Sequence, residues 1–136
     1  MKNNFKTYTA IAVCCGTLSW GSSAYADGWP TSVAGTWSVV ANQSTGSLVI
    51  SQPTSTLNCK PISGTIFSTT AIEGFYCPSS GRIAFVRKLA NNFPYQYYQG
   101  NLSQTGSILR IGGSFSAFLK NGSGGSLGEY NFSASK

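Results

Sequence analysis

From Gly35 to the C-terminus, short runs of alternating apolar and polar residues are separated by Ser, Gly, Asn and Pro, and no helical spacing is sustained. Alternation with period two sends successive side chains to opposite faces of an extended strand. The pattern predicts eight strands, over 36–41, 47–51, 62–67, 72–77, 82–88, 95–102, 108–118 and 127–134. Asn42 to Gly46, Pro78 to Gly81, Asn91 to Pro94 and Gln104 to Gly106 read as turns by composition. Connections this short favour antiparallel pairing between neighbours. The expected fold class is therefore all-β, a single eight-stranded antiparallel up-and-down β-barrel.

Parity also selects an inward face. Leu109, Ile111, Gly113, Phe115 and Ala117 oppose Arg110, Gly112, Ser114 and Ser116, while Tyr130, Phe132 and Ala134 oppose Glu129, Asn131 and Ser133. Trp37, Val39 and Ala41, Leu48 and Ile50, Ile62 and Ile66, and Tyr98, Gly100 and Leu102 complete the expected lining. Inward glycines leave space or bend a strand, so both a partly hollow and a filled bore fit the pattern.

The first 26 residues stand apart. A basic start, a mildly apolar stretch from Thr7 to Gly21 and the small-x-small triplet Ala24-Tyr25-Ala26 read as a cleavable export signal, too short and too interrupted to span a bilayer. Cleavage near Ala26 would leave 27–136 as one domain, secreted or periplasmic and not membrane-embedded. The remaining cysteines, Cys59 and Cys77, then read as one disulfide.

Composition removes several function classes. With no histidine, the chain lacks the usual general base, and Asp27, Glu73 and Glu129 show no spacing that pairs two carboxylates. Neither a metal nor a cofactor is implied. No serine has an evident base beside it, so an enzyme is not expected. The mature chain would carry seven basic residues against three acidic ones, a net +4. Those basic residues are not clustered among aromatics, and nucleic acid is not an expected partner.

Gly35-Thr36-Trp37, Ile62-Ser63-Gly64-Thr65, the strand from Ile83 to Lys88 and Tyr98-Gln99-Gly100 together resemble the avidin/streptavidin family of lipocalin-like barrels. The resemblance implies an eight-stranded barrel binding a ligand at one mouth, and a homo-oligomer, dimer or tetramer. The family's biotin contacts are largely replaced. Its first-strand asparagine falls at Val39 and its third-strand tyrosine at Ile66, with Ser68 keeping a hydroxyl. Its tryptophans fall at Arg87, Tyr98 and Phe115, and its buried acid near Tyr130 or Asn131. Negligible biotin affinity is expected, because tight binding needs many polar contacts at once.

The candidate ligand site is therefore a pocket of Trp37, Ser68, Phe85, Arg87, Tyr98, Phe115 and Tyr130, in which Arg87 holds an anionic group of a small molecule. A solid aromatic core with Arg87 reaching the rim on its aliphatic stem fits the same residues. A different class of function is a protein partner: a hydrolase inhibitor or matrix protein acting through 27–30, the loop 120–126 or an exposed Tyr95/Tyr97 face.

Overall fold

The computed structural model describes residues 28–88, 94–119 and 125–136. The expected signal segment, Asp27, Phe93 and most of the loop 120–126 lie outside the described residues.

Eight strands form: β1 (Gly35–Ala41), β2 (Ser44–Ser51), β3 (Lys60–Ile66), β4 (Thr70–Cys77), β5 (Arg82–Lys88), β6 (Pro94–Thr105), β7 (Ile108–Phe118) and β8 (Ser126–Ser135). Each pairs antiparallel with the next, and β8 returns to β1, closing the barrel in simple sequence order. Closure removes both sheet edges. The expected fold class is the observed one.

Several boundaries differ from the reading of the sequence. Strands β3 and β4 each start two residues earlier, and β6 runs on to Thr105 through part of the expected turn. Two further differences have a backbone cause. The β1–β2 turn is only Asn42-Gln43, because Asn42 adopts a positive φ of 55° and brings Ala41 opposite Ser44. Phe67 belongs to the β3–β4 turn, not to β3: both Phe67 and Ser68 have positive φ, at 53° and 73°.

Odd strands run in one direction, so the barrel has two distinct ends. One, the lower, gathers the starts of β1, β3, β5 and β7; the upper gathers the starts of β2, β4, β6 and β8. The lower end is stoppered by the segment before β1. Val33 is fully buried there, and Trp37 donates from Nε1 to the Val33 carbonyl at 2.9 Å. Tyr76 donates to the Pro30 carbonyl at 2.7 Å, while Gln52 both donates to the Thr31 carbonyl and accepts from the Val33 amide. Trp29 lies over Gly81. The Cys59–Cys77 disulfide staples the same end.

Above this stopper the bore is filled. Trp37, Val39, Leu48, Ile50, Ile62, Ile66, Ile72, Ile83, Ile111 and Phe132 form one contiguous buried cluster, as alternation requires when one sheet face encloses the core. The inward parity holds in every strand for which the sequence pattern assigned it. Among the described residues, a cavity remains at the upper end.

Candidate functional site

At the upper mouth lies a cavity of about 250 Å³, reached past Asn42, Ser44 and Leu127 and floored by Tyr98 and Phe115. Its wall is an aromatic ladder. Phe85, Tyr98, Phe115 and Tyr130 are directly opposite one another across β5, β6, β7 and β8. Their rings stack in sequence, with centroids 4.7, 4.8 and 5.2 Å apart and interplanar angles of 11°, 18° and 30°. Phe132 supports the ladder edge-on against Phe85 and Tyr98. Because barrel strands tilt against the axis, a row of cross-strand neighbours climbs along the wall. Exposure follows that climb, from buried Phe85 and Tyr98 to half-buried Tyr130.

Arg87 stands two residues beyond Phe85 on the same face of β5 and lines the cavity. Its guanidinium lies between the Phe67 and Tyr95 rings, 4.9 and 5.2 Å from their centroids, in cation–π geometry. Nη1 donates to Gln96 Oε1 at 3.0 Å and Nη2 to Thr70 Oγ1 at 3.1 Å. Both acceptors are neutral, and Nε is buried without a partner. Among the described residues the sole ion pair joins Lys88 to Glu73, and no described carboxylate pairs with Arg87. A guanidinium placed this way is fixed in orientation, with no opposite charge paired to it among the described residues.

Tyr98 connects the ladder to this group by donating to the same Gln96 Oε1 at 3.0 Å. Burial pushes its phenol up to about 12, against a smaller opposing pull from Arg87. The hydroxyl therefore remains a neutral donor over the whole physiological range.

Of the seven residues expected to form one pocket, the cavity brings four together: Arg87, Tyr98, Phe115 and Tyr130. Phe85 lies beneath as the buried foot of the ladder. Trp37 does not belong to the mouth, since it sits near the start of β1, at the stoppered end. The direction of the strands already implied this, because β1 and β5 run the same way and Arg87 is near the end of β5. Ser68 is also displaced. Its positive-φ turn leaves it exposed, and Phe67 turns toward the mouth instead, with its ring seated where Gly46 has no side chain.

The expected Tyr95/Tyr97 face is not an exposed patch. Tyr95 is buried beside Arg87 and Tyr97 is half-buried. A register shift at Arg87/Lys88 accompanies this placement, and simple alternation along 95–102 gives no sign of it. Gln96, Thr70, Phe67 and Asn42 were not legible as site residues. Gln96 is the direct cross-strand partner of Arg87, a relation visible only once the register is known.

Comparison with protein-family models, with curated proteins and with solved structures finds no match for this chain.

Proposed function

We propose that this protein is an exported, avidin-like binding barrel, not an enzyme, and that its mouth holds a small organic anion. Arg87 would take the anionic group, while Tyr98, Phe115 and Tyr130 would hold the apolar, preferably planar, remainder. The observation that carries this reading is the Arg87 guanidinium. It is clamped by neutral acceptors, has no protein carboxylate among the described residues, and opens on an aromatic-lined cup. Half-burying such a group carries part of the cost of desolvating a charge, which an anion would offset. The cup's size fits a molecule below the usual drug-sized range.

The protein-partner alternative has less support. Of its candidate segments, Trp29 and Pro30 lie against the barrel and the tyrosine face is largely covered, while most of the loop 120–126 lies outside the described residues.

Calorimetric titration with benzoate, benzamide and biotin tests the proposal. A charge-assisted hydrogen bond contributes about 1.5–3 kcal/mol, so benzoate should bind at least about tenfold more tightly than benzamide. Arg87→Gln should erase that difference, and biotin should show no submicromolar binding. Equal affinity for benzoate and benzamide, or benzoate binding unchanged by Arg87→Gln, would refute the assignment. The resemblance further implies a dimer or tetramer, which sedimentation at several concentrations would test.

A further inference from the structure

The outer wall carries a second concavity, unrelated to the mouth. A depression of about 490 Å³ is lined by Arg82, Gln99, Asn101, Gly112, Ser114 and Asn131 among others, and a neighbouring one of about 320 Å³ by Ser103, Arg110, Gly112 and Ser133 among others. Both include Gly112, so the two adjoin there and together span the outer wall from β5 through β8 to β1. The larger depression presents amides, hydroxyls and Arg82, while the smaller one adds hydroxyls, Arg110 and the apolar side chains of Val40, Ile111 and Ala134. Ser114 also donates from Oγ to Glu129 Oε1 at 2.6 Å.

Gly112 is the informative residue. Its neighbour Gly113 faces the bore and must be glycine, because a Cβ there would lie 2.0 Å from the Gln99 carbonyl oxygen. A Cβ on Gly112 would meet nothing within 4 Å, and its φ is not in the left-handed region. Neither packing nor backbone geometry requires glycine at Gly112, although glycine weakens a strand. What its absent side chain does provide is the floor where the two depressions meet.

Arg82 and Arg110 are both exposed, and neither joins an ion pair among the described residues. They are separated by two strands across and two residues along, roughly 12 Å between Cα atoms by standard sheet spacings. We propose that this groove binds an extended anionic polysaccharide of the polyuronate type. Arg82 and Arg110 take carboxylates of the chain, and Gln99, Asn101 and Asn131 exchange hydrogen bonds with its hydroxyls. Nucleic acid shares the negative charge, but no aromatic side chain lines either depression to receive a base.

The test is affinity electrophoresis of the purified protein in native gels containing alginate, polygalacturonate or neutral dextran, with fluorescence anisotropy on single-stranded DNA alongside. Retardation is expected in at least one polyuronate gel and not in dextran. Arg82→Gln/Arg110→Gln should lose it at least tenfold. Gly112→Trp, which fills the floor, should do the same while the thermal midpoint stays within a few degrees of wild type. Arg87→Gln should leave retardation unchanged, which separates this groove from the mouth. The proposal is overturned if neither polyuronate retards the protein or if dextran does so equally. It also falls if the double arginine variant retains full retardation, or if DNA binds more tightly than either polyuronate through the same arginines.

Discussion

Replacing Tyr98 by leucine would separate stacking from simple filling in the aromatic ladder. Tyr98 is fully buried, stacked on Phe85 at 4.7 Å and Phe115 at 4.8 Å, and met edge-on by Phe132 at 5.2 Å. Leucine keeps an apolar side chain there but removes about three buried carbons, worth about 2 kcal/mol. It also removes three ring pairs, at about 1 kcal/mol each. With the bond to Gln96, worth about 1 kcal/mol, the expected loss is about 6 kcal/mol, against about 1 kcal/mol for Tyr98→Phe, which gives up that bond alone. Phe115→Leu loses two stacked pairs and should fall between them, near 4 kcal/mol. Guanidinium unfolding, with the slope checked for two-state behaviour, measures all three. A loss of about 6 kcal/mol approaches the whole stability of a small domain, so Tyr98→Leu should be partly unfolded in buffer. If Tyr98→Leu and Tyr98→Phe differ by no more than about 2 kcal/mol, the amount the lost carbons alone explain, the ladder is ordinary filling and its stacked geometry contributes nothing of its own.

Adjacent glycines on β7 should behave in opposite ways: Gly113→Ala should cost about 3 kcal/mol or more by forcing β6 and β7 apart, whereas Gly112→Ala should be neutral or stabilising by up to about 1 kcal/mol, both read from denaturant midpoints. Alkaline pH should destabilise the barrel. Burial raises both Tyr76 and Tyr98 from 10.0 to about 12, so the unfolded chain releases these protons first. Their contribution is complete below pH 10 and is lost toward pH 12, at about 1.4 kcal/mol per pH unit for each tyrosine. Lys136, lowered by burial, acts in the opposite sense just below its ordinary range, but this residue is exposed and the tyrosines dominate. Midpoints measured from pH 9 to 12 should fall less steeply for Tyr76→Phe; an unchanged slope would remove Tyr76 from the account. Reducing Cys59–Cys77, which closes a separation of 18 residues, should lower stability by about 3 kcal/mol, and a loss below 1 kcal/mol would show that the bridge adds little to the stopper's own hydrogen bonds.

Alternation along the chain was enough to establish eight strands, their order around the barrel and nearly every inward side chain. The physical reason is that period two couples residue parity directly to the buried or solvated face. The pair Cys59 and Cys77 was legible because the expected mature chain holds no other cysteine. Tertiary structure decided what parity leaves open: the height of each side chain along the bore. Trp37 and Arg87 both face inward, yet strand direction and closure put them at opposite ends, one under a stopper and one at an open mouth. The positive-φ turn at Phe67 and Ser68 exchanged a hydroxyl for a ring at that mouth, and the shifted register at Arg87 buried Tyr95 beside it. The outer groove depended on lateral neighbours as well. Arg82, Asn101 and Gly112 are far apart in sequence, and only the hydrogen-bonded register sets them side by side.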